Sequence, residues 1–242
     1  MKKLFFTLTI LFSFVLSAQI VVFQPVHVPA DKINQFLNIE LNYSKKIAQD
    51  AVNTGELEYW ILLESTNPAP DGFNYIWVNA YKDIATAVNK GSWWNNSKKA
   101  VGVETPILYS SFAGLKPDRR YYYKMEQEIQ PRGDFEYVIL NFTNTTEVQK
   151  HLEEMDQYVI PHFKKTMSKH GMMAWGSASK ITPQGDDVAT MMTYDSYDTL
   201  EHVMEHLSGE GVIGGLDFDR LTPIQWSMRP VMRIKGVTGP KQ

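Results

Sequence analysis

The sequence predicts an α+β chain made of two tandem repeats, each with the element order βαββαβ. Two observations carry this reading. Sliding the chain by 115 positions brings Ile33 onto Val148, Leu37 onto Leu152, Tyr43 onto Tyr158 and Trp60 onto Trp175. The same succession of period-two and period-3.6 apolar patterns then recurs in each half.

In the first half, residues 20–28 read as a strand and 31–52 as a helix, with Ile33, Leu37, Leu41, Ala48 and Ala51 as its apolar stripe. Asn53, Thr54 and Gly55 end that helix, since Asn or Gly can take a left-handed cap. Residues 57–64 and 73–81 are strands across a Pro- and Gly-containing turn, 84–89 begin a second helix, and Tyr-rich 120–128 form the last strand. In the second half, 135–142 read as a strand, and Asn144 with Glu147 fits a capping box. The helix behind it carries Val148, Leu152, Met155, Val159, Phe163 and Met167 on one stripe, and Pro161 should kink or restart it. Strands at 172–181 and 187–194, a short helix at 200–207 and a final strand at 224–235 complete the half. The units are therefore 19–130 and 131–242, and residues 91–117 form an insertion without a counterpart.

Residues 1–18 read as a signal peptide: Lys2 and Lys3, an apolar run, then Ser17 and Ala18 before Gln19. The run is shorter than the about 20 residues that span a bilayer. The expectation is an exported protein, periplasmic or secreted, without a membrane attachment after cleavage. Losing Lys2 and Lys3 takes the net charge from -3 to about -5. A mildly acidic chain without a long basic stretch argues against nucleic acid as a partner. With no Cys, thiolate metal sites, disulfides and Cys nucleophiles are excluded.

Three groups of residues could carry chemistry. Strand residues alternate in facing, so Tyr75, Trp77, Asn79 and Tyr81 share one face and Ile76, Val78 and Ala80 the other. The aliphatic face suits covering helices, and the aromatic, polar-tipped face suits a barrel interior or a ligand pocket. Arg229 on the last strand could join those aromatics and hold a carboxylate. Trp93 and Trp94, adjacent in the insertion, could form a lid, a carbohydrate-stacking platform or a dimer contact, or one could plug the insertion onto the core. His202 and His206 fit the H-x-x-E-H spacing, which places two imidazoles on one helix face with Glu205 as a base. Zinc there would need a third protein ligand, and a solvated amphipathic helix is the simpler account. His162 and His170 are candidate haem ligands, against a surface or helix-capping role.

The element order resembles the dimeric α/β-barrel superfamily, in which two ferredoxin-like units pair their sheets into a closed barrel. This chain would carry both units. The resemblance covers nearly all of residues 19–242 and includes antibiotic-biosynthesis-type monooxygenases, haem-degrading monooxygenases and chlorite-dismutase-like haem proteins. It implies an apolar cavity and no single reaction. It leads to a small-molecule-handling protein, monooxygenase-like, acting on an aromatic or polycyclic ligand, with Trp77, Asn79 and Arg229 positioning it. The alternative is a non-catalytic binding protein using the same cavity, and the remote alternative a zinc-dependent hydrolase. Haem and zinc are the candidate cofactors, neither required by the sequence, and a homo-oligomer is compatible with it.

Overall fold

The computed structural model describes residues 19–240. The proposed signal peptide, 1–18, lies outside the described residues. Among the described residues there are ten strands and eight α-helices, and they contain the expected βαββαβ order in each half. The first half is β1 (Ile20–His27), α1 (Ile33–Ile39), α2 (Lys45–Asn53), β2 (Tyr59–Ser65), β3 (Tyr75–Tyr81), α3 (Ile84–Lys90), α4 (Ser97–Val101), α5 (Thr105–Ser110), β4 (Lys116–Pro117) and β5 (Tyr121–Ile129). The second half is β6 (Tyr137–Thr143), α6 (Val148–Glu154), α7 (Ile160–Thr166), β7 (Met172–Thr182), β8 (Met191–Tyr197), α8 (Leu200–Leu207), β9 (Trp226–Met228) and β10 (Val231–Thr238).

Each half is a ferredoxin-like sheet, β5-β1-β3-β2 and β10-β6-β8-β7, antiparallel throughout. The exposed edges of one sheet meet those of the other: β5 pairs β7, and β10 pairs β2. The result is a closed eight-stranded barrel within one chain, which leaves no unpaired edge among these strands.

The barrel interior holds Phe23, Leu63, Ile76, Val78, Tyr123, Leu140, Met192 and Met232. This reverses the expected facing of β3. Ile76 and Val78 point into the barrel, while Tyr75, Trp77 and Tyr81 pack beneath the helices. The reason is the polar tip of each ring, which needs a partner when buried. The helix side supplies them: the Tyr75 hydroxyl donates to Glu64 Oε1 at 2.7 Å. Phe23 with Tyr123 and Phe142 supplies the interior aromatics instead.

Interior packing is close at Gly176, which faces Tyr194 across β7 and β8. A Cβ there would stand 2.5 Å from the Tyr194 ring. Gly176→Ala is therefore expected to destabilise the protein by about 1–3 kcal/mol in urea unfolding, as overpacking does. An unchanged midpoint would mean that the Tyr194 ring yields freely.

Three local expectations are corrected. The capping box does not form: Asn144 Nδ2 donates to the Asp186 carbonyl at 3.0 Å, and Thr145 Oγ1 takes the Glu147 N–H. The last strand breaks into β9 and β10 around Pro230, which has no N–H to give a ladder. The strand expected at 187–194 begins at Met191, because Lys180 Nζ draws the carbonyls of Gly185 and Val188 into a turn.

The first helix of each half contains a π-helical turn, Glu40–Ser44 and Met155–Val159. These stand in the 115-residue register of the repeat, as do the starts of α1 and α6. Pro161 lies in the first turn of α7 and marks a restart. It does not by itself cause the π turn, since the first half has the same turn with Lys46 at the matching position. The turn adds a residue to the helix and re-phases the inward face. Phe36, Glu40, Ser44, Ile47, Ala48 and Ala51 are buried, whereas Ile33, Leu37 and Leu41 lie at the flank.

Candidate functional site

The π turn places different chemistry in the two halves. In the second half its buried residues are Met155 and Val159, which continue the apolar core. In the first half the same two positions are Glu40 and Ser44, 1% and 2% exposed. A carboxyl group has thus been set into a layer that the repeat otherwise fills with hydrocarbon. Burial pushes the Glu40 carboxyl up to about 8, only partly offset by hydrogen bonds from Trp77 and Ser44. Its Oε2 has no hydrogen-bond partner.

The floor beneath Glu40 is the helix-facing side of β3. Asn79 follows Trp77 on that face and is itself left with an unpartnered buried Oδ1. Thr238, across Trp60 in the same sheet row, has an unpartnered buried hydroxyl. Buried polar groups are ordinarily paired, and these three protein atoms are not paired with one another or with their neighbours. The walls are aromatic. Trp77 lies 5.8 Å from Phe36 and 6.1 Å from Phe112, ring centre to ring centre.

The insertion covers this layer from outside. Trp93 is buried and plugs the core, its indole hydrogen-bonded to Tyr81, whose hydroxyl burial pushes up to about 12. Trp94 forms the outer wall against Tyr109 and Phe112, and its Nε1 donates to Ser44 Oγ at 3.3 Å. The segment is tied down by polar contacts at its rim, Lys99 to Asp50 at 3.1 Å and Asn96 to Glu56 at 3.0 Å. Rim contacts of this kind are worth little each.

Six of the seven ligand-binding candidates read from the sequence, Tyr75, Trp77, Asn79, Tyr81, Trp93 and Trp94, belong to this one layer. Arg229 does not. It lies in the second half, where its Nε donates to Asn141 Oδ1 at 2.7 Å and its Nη2 to His206 Nε2 at 3.1 Å. Its guanidinium sits 5.8 Å from the Trp226 ring centre. Asp195 completes that network, 2.5 Å from Asn141 Nδ2. Because Arg229 only donates, His206 Nε2 must accept, so Nδ1 carries the proton toward Tyr197 at 2.7 Å. Desolvation, with a smaller push from Arg229, holds His206 below its usual range despite Asp195. Asp195 occupies the place on β8 that Asn79 has on β3, third from the strand's end in each. The second-half network is satisfied within the protein. The first-half layer is not.

His202 and His206 diverge. His202 Nδ1 is 2.7 Å from Asp198 Oδ1 near the surface, whereas His206 is turned into the buried network. Among the described residues no group of three His, Asp or Glu is placed to hold a metal ion. The second-half helix layer does not fit a haem either. His162 Nε2 is bonded to the Val212 carbonyl at 2.8 Å, and Leu152, Met155, Phe163, Met167 and Trp175 fill the layer. His170 lies in the turn after the helix, its N–H on the Met167 carbonyl.

Glu40 was not found from the sequence. The stripe through Leu37 and Leu41 steps past it. Comparing the repeats position by position, Glu40 against Met155, would have exposed it.

No protein-family model matches the sequence, and no curated protein is recovered by sequence similarity. Solved structures do match in shape. A monooxygenase-like protein from Fusobacterium nucleatum aligns over 92% of this chain and 95% of its own, with TM-score 0.57 and 9% identity. An anthrone oxidase-like protein aligns over 92% and 93%, with TM-score 0.53 and 10% identity. A chlorite dismutase from Candidatus Nitrospira defluvii aligns over 90% and 91%, with TM-score 0.53 and 9% identity. At these identities the likeness is one of fold. The chain has a closed α/β-barrel fold built from two ferredoxin-like units in tandem on one polypeptide, a fold it shares with these structures.

Proposed function

We propose that this protein is a cofactor-independent oxygenase for an aromatic or polycyclic small molecule with an acidic C–H or O–H, with Glu40 as its general base. The observation that carries this reading is the buried Glu40 carboxyl, its Oε2 unpartnered, where the second repeat has Met155. A base raised to about 8 can take a proton from a weak carbon or phenol acid at neutral pH and return it. Trp77 and Asn79 offer an indole N–H and a side-chain amide to the anion that results.

The resemblance to an anthrone oxidase-like protein supports a substrate of that type. In such a reaction Glu40 takes a proton from the ring methylene, and the resulting carbanion reduces dioxygen to a hydroperoxide. Loss of water leaves a carbonyl: one oxygen atom stays in the quinone and the other leaves as water. All four electrons come from the substrate, so the reaction needs no reductant and suits an exported protein. Export to the periplasm or the medium is part of this proposal, and fractionating cells that express the full chain tests it.

Reaching Glu40 requires the segment around Trp94 to swing away, since the carboxyl is 1% exposed. Anthrone is the probe. Expected are oxygen uptake at one dioxygen per anthrone, a rate that rises with pH through about 8, and one site per chain. Glu40→Gln is expected to lower turnover by about 100-fold or more. Trp77→Ala should weaken binding, whereas Arg229→Lys, in the other half, should leave it unchanged. If anthrone binds in a Trp77-dependent way without oxygen uptake, the protein is a binding protein using the same chamber. Neither binding nor uptake would remove the assignment of this chamber.

A further inference from the structure

The second half carries a cleft of about 370 Å³ that shares no lining residue with the Glu40 layer. It lies where the end of β6 and the loop after it face the segment leading into β9. Thr143, Thr145, His151, Gln225, Trp226 and Ser227 define its chemistry.

Three features indicate what it would take. Its ten lining residues include no Lys, Arg, Asp or Glu, so the lining offers no fixed charge to an ion. The lining is instead dense in hydroxyl and amide groups, which can both donate and accept. One large aromatic, Trp226, stands among them, with Thr143 paired to it across the β6–β9 ladder. His151 lines the same cleft and is 2% exposed. Its Nε2 edge borders the cleft at Thr145 Oγ1, 3.0 Å away, while its Nδ1, without a hydrogen bond, faces the Glu154 carboxylate at 4.0 Å. The Nε2–Thr145 pair gives the cleft a hydroxyl and an imidazole edge side by side, which fits a ligand that brings its own hydroxyl groups.

We infer that this cleft binds a neutral, polyhydroxylated small molecule of monosaccharide size, with Trp226 as the apolar platform and the Thr, Gln and His151 groups as the hydrogen-bonding rim. Such ligands combine an apolar C–H face with a polar edge, which matches one flat ring inside a hydroxyl-rich wall. The volume suits one sugar ring rather than a chain, being at the small end of ligand pockets.

Titration of the full mature chain with glucose, galactose and N-acetylglucosamine, followed by isothermal calorimetry and by ligand-observed NMR, tests this. Saturable 1:1 binding of at least one of them is expected, with Kd of about 1 mM. Trp226→Ala should weaken it at least about tenfold, and Trp226→Phe should keep most of it, because a ring remains. Gln225→Ala, at an exposed position, should weaken it about threefold and covers the case in which Trp226→Ala fails to fold. Trp77→Ala should leave it untouched, which separates this site from the first-half chamber. No saturable binding of any of the three sugars, or binding that survives both Trp226→Ala and Gln225→Ala, would overturn the assignment.

Discussion

Raising the pH from about 5 to about 9 is expected to cost the wild-type protein a few kcal/mol of stability that Glu40→Gln does not lose. The carboxyl titrates near its ordinary 4.5 in the unfolded chain and at about 8 when folded. Between those values the folded state holds a proton that the unfolded state has released, so stability falls as pH rises. It is fully present below about 4.5 and lost by the time pH has passed 8. Each unit of difference corresponds to about 1.4 kcal/mol, so the loss across this range amounts to a few kcal/mol. Gln keeps the shape, cannot ionise, and should flatten the slope while melting higher than wild type at alkaline pH. Chemical unfolding of both proteins across this range is the measurement. Parallel curves would mean that Glu40 is solvated in the folded protein and that the base assigned to it is an ordinary surface acid.

Removing Arg229 is the second large effect. Arg229→Met takes away the donor to Asn141 Oδ1 and the cation beside His206, and leaves Asp195 buried at 3% exposure with less compensation. Truncating one member of a buried charged network costs about 3–5 kcal/mol. For a chain of this size that is a fall in Tm of roughly 10 °C. Adding Asp195→Asn removes the orphaned charge as well, so the double variant should be less destabilised than the sum of the two singles by about 1–3 kcal/mol. Strict additivity would show that the two groups do not feel each other. The pH dependence adds a second reading. His206 is held below its usual 6.5, so the wild type loses stability as pH falls through 6.5 and the unfolded His takes up a proton. Without Arg229 only desolvation still opposes the Asp195 charge, so the folded pKa rises and that acid-side loss should shrink.

The two variants also mark a division within the molecule. Both halves put polar groups under their helices at matching places, Asn79 on β3 and Asp195 on β8. In the second half Arg229, Asn141 and His206 answer one another, and the network is complete. Beneath the first-half helices Glu40 and Asn79, with Thr238 contributed by β10 of the second half, are each left with a buried polar atom unpartnered. The polar layer beneath the helices is thus closed around Arg229 in one copy and left open around Glu40 in the other.

The sequence by itself determined the order of elements, the register of the repeat and most element ends. These are local properties. A helix at 200–207 follows from its period and from Thr199 as a cap, which accepts the His202 N–H at 3.3 Å. The 115-residue slide that matched Tyr43 to Tyr158 also matches the two π turns that contain them. The aromatic face of β3 was equally legible, because alternation fixes which residues share a face.

Which way that face points was not. Alternation is symmetric, and only the helices crossing one side of the sheet made Trp77 and Asn79 part of a covered layer and Ile76 and Val78 part of a barrel. The partner of Arg229 was hidden for a related reason. Asn141 is 88 residues away, and the break at Pro230 turned the last strand so that Arg229 met it rather than the aromatics of β3. Glu40 was decided by tertiary structure most completely. It stands four residues after buried Phe36, at the start of the π turn, and so shares the face that packing turned inward. Burial and the lack of a partner, the two properties that make it a candidate base, exist only once the helix, the sheet and the insertion have closed around it.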